Sequence, residues 1–227
     1  REGSYMENID PQFGASDYVA EYKGNVFLFE SKDILIKKEV KDKLFIPELR
    51  EEFRRKFYKD GNSDKAVLQL AKNVKKVLDS KYSKFSFAPR KFRFIYPIVV
   101  VHSEAFNILG LNQILFQWFA EACAEAGITK KEMYKVKQVV LIDISTMLYF
   151  QDQINKNKTG FNDLINGYIH RTRLKTKASL MTRSPVKYGS DHMIPFSFYF
   201  DYTIKSLKKV HTPRILIKVM QELFFRR

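Results

Sequence analysis

The chain has 227 residues, 45% of them hydrophobic and 15% aromatic, which is ample for a packed core, so disorder is not the default. Its formal net charge of +15 points to a polyanionic partner, nucleic acid ahead of an anionic membrane surface. No run approaches the roughly 20 apolar residues of a membrane span, and the single cysteine, Cys123, excludes an intrachain disulfide and a cysteine-built zinc site.

Residues 1–15 carry Gly3, Pro11 and Gly14 and read as irregular. Two runs of strand formers follow, 16–22 and 26–32, separated by Gly24-Asn25. Gly-Asn between such runs is a hairpin signal, because primed turns need positive φ. Leu49, Phe53 and Phe57 recur at helical spacing behind Pro47 and predict a helix over 47–58. Gly61-Asn62 breaks it, and Ser63 or Asp64 is placed to cap a second helix running to about Asp79. Residues 93–101 form a near-continuous apolar run suited to a strand buried on both faces, with Pro97 expected near an edge or bend. A helix over 111–126 ends at Gly127, and 138–144 is a second buried strand. Ser145 is read as the cap of a helix over 147–154. Beyond it come a basic helix over 161–179, an aromatic segment 194–202 that fits a strand, and a last helix over 212–225.

This order predicts an α/β fold, a mixed sheet flanked by helices. The Lys/Asn-rich stretch Asn155 to Thr159 is the expected boundary between a core, 1–155, and a mainly helical basic extension, 156–227, packed on it. Cys123, in the Ala-rich stretch 120–126, reads as a small buried thiol. With no signal peptide visible, the expected location is cytoplasmic, with no membrane association.

Chemistry concentrates on the hairpin. With Gly24-Asn25 as its turn, Glu21 faces Leu28, Val19 faces Glu30 and Asp17 faces Lys32. Side chains alternate across a strand, so Asp17, Glu30 and Lys32 share one face. Asp17 then lies diagonally from Glu30, roughly 7–8 Å away along the sheet. Two carboxylates so placed can reach one hard cation, Mg²⁺ or Mn²⁺, with the Ser31 carbonyl as a further oxygen. The bland alternative is a solvated strand face with an Asp17–Lys32 ion pair worth about 0–1 kcal/mol. The apolar flanks of the hairpin favour the first reading, because charges buried without a partner are costly.

Asp17, twelve intervening residues and then Glu30-Ser31-Lys32 within VFLFESK resemble the PD-(D/E)XK nuclease superfamily, which has the restriction-endonuclease-like fold. The later helix carrying Leu68-Gln69-Leu70 matches a helix on which several branches of that family place a glutamine. The resemblance covers roughly 15–102. Ser16 stands where the family often has proline, and the family's first core helix is absent or precedes Arg1. What the resemblance implies is a Mg²⁺- or Mn²⁺-dependent endonuclease hydrolysing phosphodiester bonds of DNA in restriction, repair, recombination or defence. Asp17 and Glu30 would hold the metal with Ser31, Lys32 would assist the attacking water, and Gln69 would orient a ligand or phosphate.

Two basic clusters are candidate nucleic-acid contacts: Arg171, Arg173, Lys175 and Lys177, and nearer the sheet Arg90 and Lys91. DNA is the expected partner, with RNA as an alternative substrate. A non-catalytic basic nucleic-acid-binding module is the alternative function. Self-association, or membership of a larger protein, is compatible with the sequence. His102 reads as a strand-end histidine before a possible base, Asp143 as a helix cap before a partner carboxylate, and Trp118 as core. No P-loop, dinucleotide-binding or nucleophile-elbow motif is present.

Overall fold

The computed structural model describes residues 2–5, 17–36, 46–79, 92–156, 160–173 and 192–206. Strand β2 (Tyr18–Tyr22) turns into β3 (Asn25–Lys32) through Lys23 and Gly24, with φ of 51° and 72°. Two positive φ values make this a type I′ hairpin, the turn that matches strand twist. It lies one residue earlier than Gly24-Asn25, so Glu21 pairs with Val26 rather than Leu28, and Val19 with Leu28 rather than Glu30. The cause is tertiary. The Val26 N–H donates to the Phe94 carbonyl and Arg93 N–H to that of Gly24, which draws Asn25 into the strand. The slip is two residues per pair, so every side chain keeps its face.

A strand over Glu2–Tyr5 (β1) pairs with β2, where the sequence reads as irregular. A helix, α1 (Ile46–Phe57), is followed by a small hairpin of β4 (Lys59–Asp60) and β5 (Ser63–Asp64). Then come α2 (Ala66–Leu78), β6 (Ile95–Val101), α3 (Leu111–Glu125), α4 (Lys130–Met133) and β7 (Val140–Asp143). Helices α5 (Ile144–Lys156), α6 (Phe161–Thr172) and α7 (Phe196–Ser206) complete the described chain. The main sheet has the order β1-β2-β3-β6-β7, antiparallel through β3 and parallel from β3 to β7. The architecture is α/β, a mixed sheet with helices on both faces.

Parallel strands covered on both sides need continuous apolar sequence, and IYPIVVV in β6 is buried at every position. On one face, Val19, Val26, Leu28, Val99 and Leu141 pack under α1, α2 and α3, whose Phe57, Leu70 and Trp118 are fully enclosed. On the other, Phe27, Tyr96, Ile98 and Ile142 pack under α6 and α7. Phe27 stacks on Tyr96 at 4.7 Å between ring centroids. Cys123 is buried, and burial pushes its thiol up to about 12. Among the described residues β7 is the last strand of the sheet, and there Asn112 of α3 accepts through its amide oxygen from Leu141 N at 2.7 Å. That contact occupies a backbone donor on which another chain could otherwise pair.

Four further expectations are corrected. Pro97 lies in a central strand, not at an edge or bend at the sheet margin. Ile95 bridges Val136 while Ile98 pairs with Val140, so the neighbouring segment takes one extra residue there. A proline, with no N–H to donate, is tolerated in such an interruption of the ladder. The second helix is capped at Lys65 and begins at Ala66, after the small hairpin that takes up Ser63 and Asp64. Residues 194–202 enter a helix rather than a strand. Phe196 and Phe200 are buried and Phe198 is 62% exposed, which is helical spacing, whereas a strand would put all three on one face. Helix α6 is left at Arg173, with ψ of 119°. The remainder of the basic helix expected to 179, and the one over 212–225, lie outside the described residues.

Candidate functional site

The candidate site stands at the C-terminal end of β3, among the parallel strand ends where open α/β sheets bind ligands. Because β3 is enclosed by α2 on this face, even its glutamate is buried. Glu30 is 2% exposed. Two residues on, Lys32 returns to the same face and its Nζ donates to Glu30 Oε1 at 2.7 Å. Glu30 Oε2 is buried and has no hydrogen-bond partner. One step beyond the last hairpin pair, Tyr18 with Phe29, Asp17 comes directly opposite Glu30 instead of diagonally. Its Oδ2 accepts from the backbone N–H of Ser31 at 2.6 Å, which ties the start of β2 to the end of β3.

Burial pushes the Glu30 carboxyl up from 4.5 to about 7. The Lys32 ammonium acts against this, and the neighbouring Asp17 charge adds to it. A carboxylate that is desolvated, half-satisfied and faced by a second acid fits a positive charge that has not yet been counted. The donor set is all oxygen: Glu30, Asp17 and the Ser31 carbonyl. It suits a hard cation that takes one or two carboxylates and keeps waters. Among the described residues, no group of three or more His, Cys, Asp or Glu side chains is arranged to hold a metal ion.

Gln69 lies on α2, the helix packed over β3 and β6. Its Oε1 is buried without a hydrogen-bond partner. Lys72, one turn on, is exposed and paired with Asp64, and Asn73 is wholly buried. His102 follows the end of β6 and its Nε2 lies 3.2 Å from Ser31 Oγ. Ser31 and His102 point to the sheet face opposite Glu30 and Lys32.

Asp143 is the cap of α5, in place of Ser145. Its Oδ1 accepts from Thr146 N at 2.8 Å and its Oδ2 from Thr146 Oγ1 at 2.6 Å. Of the basic clusters, Arg171 and Arg173 are exposed on or beside α6, over the face opposite Glu30. Arg90, Lys91, Lys175 and Lys177 lie outside the described residues. What sequence reasoning missed is a cleft beside Asp143, built from segments 104–107, 143–149 and 197–201. No local motif announces it, because its walls come from three distant parts of the chain. Compared with models of protein families, with curated proteins and with solved structures, the chain matches none.

Proposed function

We propose that the chain is a metal-dependent nuclease that hydrolyses phosphodiester bonds of DNA, on a core of the restriction-endonuclease-like type. The observation that carries this reading is the buried Glu30 carboxylate. One oxygen is held by Lys32, the other is unpartnered, and Asp17 stands across the hairpin. Glu30, Asp17 and the Ser31 carbonyl would hold Mg²⁺ or Mn²⁺. A bound cation supplies a more acidic water and neutralises phosphate charge.

The chain's own groups do the rest. Glu30, buried under α2 with its carboxyl pushed up to about 7, can hold or release a proton near neutral pH beside the Lys32 Nζ that donates to it. The Lys32 ammonium, anchored at Glu30, orients the attacking water or offsets charge on the phosphate. Gln69 offers an amide with unmet bonding capacity. The net charge of +15 draws the polyanion in. One observation favours a second reading, a non-catalytic nucleic-acid-binding module: no third ligating side chain joins the pair among the described residues.

The test is cleavage of plasmid, linear DNA and RNA with Mg²⁺ or Mn²⁺, comparing the wild type with Lys32→Ala. Loss of about 10²–10⁴-fold in rate is expected if Lys32 handles the proton, with the circular-dichroism spectrum unchanged. Undiminished cleavage by the variant means that the site is elsewhere. A folded wild type that binds DNA and never cuts it supports the binding module, and cleavage confined to RNA changes the substrate.

A further inference from the structure

Two strands along from Lys32, the same end of the sheet carries a second acidic feature. Lys32 pairs with Val101, and Val101 with Asp143 at the end of β7. Two strand spacings of roughly 4.8 Å put Asp143 about 10 Å from Lys32 along the same end of the sheet. Beside Asp143 opens a cleft of about 640 Å³. Its walls include Glu104 and Asn107 after β6, Thr146 and Leu148 on α5, and Ser197 and Phe198 on α7.

Among the described residues, no lysine or arginine lines this cleft, although the chain as a whole carries +15. It therefore disfavours phosphate. Phe198 is 62% and Leu148 44% exposed at its mouth. The Ser197 hydroxyl, next to Phe198, is buried with no hydrogen-bond partner. Asn107 Nδ2 donates to Asp143 Oδ2 at 3.2 Å, which fixes the acidic back wall. Carboxylates accept hydrogen bonds from exocyclic amino groups such as cytosine N4, and every base has a face that stacks on an aromatic ring. Thymine and uracil turn carbonyl oxygens towards such acceptors and are disfavoured.

We propose that this cleft binds an amino-bearing nucleobase of the strand whose phosphate lies at Glu30 and Lys32, stacked on Phe198 with its amino edge towards Glu104. The identity of the ligand rests on the nuclease reading above. The phosphate thus goes to the cation-seeking site and its base to the acidic one, so cleavage prefers cytosine or another amino-bearing base at that position.

The probes are free cytidine and thymidine, which carry no phosphate, followed by saturation-transfer NMR on the whole chain. Cytidine should bind the wild type at least tenfold more tightly than thymidine. Phe198→Ala should weaken cytidine by about tenfold, the lower range of a lost base stack. Glu104→Gln should narrow the cytidine preference, and Lys32→Ala should change neither nucleoside. Phe198 and Glu104 are exposed, so both variants should fold as the wild type does. Equal binding of the two nucleosides, no binding of either at about 10 mM, or cytidine binding untouched in Phe198→Ala overturns the proposal. So does an arginine-rich peptide that binds where neither nucleoside does, which assigns the cleft to a cationic protein segment. Cytidine binding by a wild type that cuts no nucleic acid keeps the cleft and removes the nuclease. Cleavage without nucleoside binding does the opposite.

Discussion

Glu30 and Asp143 are both 2% exposed and both stand at the C-terminal ends of parallel strands in one sheet. Asp143 has three donors on its two oxygens: Thr146 N, Thr146 Oγ1 and Asn107 Nδ2. Glu30 has the Lys32 ammonium on one oxygen at 2.7 Å, its other oxygen is buried with no hydrogen-bond partner, and the Asp17 backbone N–H acts on the carboxyl only as the weakest of the influences on it. A buried acid with its bonds complete is part of the scaffold, since it starts α5 and holds the loop after β6. A buried acid with a bond missing is poised for something the chain does not supply. The difference lies in bonding rather than burial, and it is open to direct attack.

The largest effect should come from the scaffold acid. Asp143→Ala removes a helix cap worth about 1 kcal/mol and two side-chain hydrogen bonds worth about 1 kcal/mol each. Urea unfolding should show a loss of about 3 kcal/mol, with more if Asn107 stays unsatisfied. A loss under about 1 kcal/mol would erase the contrast.

Glu30→Gln should act in the other direction. The native state binds the Glu30 proton more tightly than the unfolded chain, so the stability tied to that proton is full below pH 4.5 and is lost as pH rises through about 7. At pH 8 without divalent cation, the variant should therefore be more stable than the wild type by about 3 kcal/mol, at about 1.36 kcal/mol per pH unit. At pH 4 the two should coincide. A variant destabilised at pH 8 would show that Glu30 is a structural acid after all. Added Mg²⁺ sharpens the test without any activity measurement. At a hundred times its dissociation constant it should stabilise the wild type by about 2.7 kcal/mol, and the variant far less.

The smallest effect belongs to Gln69. Its amide oxygen is buried unsatisfied, so Gln69→Leu should cost nothing and can stabilise by about 1 kcal/mol. A thermal melt that rises while cleavage falls places Gln69 with Glu30. A melt that drops by several degrees places it with Asp143.

The hairpin face was legible in the sequence although its register was not. Asp17, Glu30 and Lys32 sit at odd and even positions on either side of the turn, and a two-residue slip cannot move them to the other face. Asp143 as a cap was also legible, because an acid between a buried strand and a helix has backbone N–H groups to accept from. Residues 194–202 were not. IPFSFYF carries apolar residues at both two- and four-residue spacing, and only packing on Ile98 and Ile142 selects the helical set.

The strand character of β2, β3, β6 and β7, the helical character of α1, α2 and α3, and the shared face of the three hairpin residues were determined by sequence alone, because each rests on local periodicity. Where the hairpin turns, which oxygen of Glu30 goes unpaired, and what lies beside Asp143 were decided by tertiary structure. Each depends on a neighbour distant along the chain: β6 claiming Val26, α2 closing over Glu30, and α7 laying Phe198 beside the end of β7.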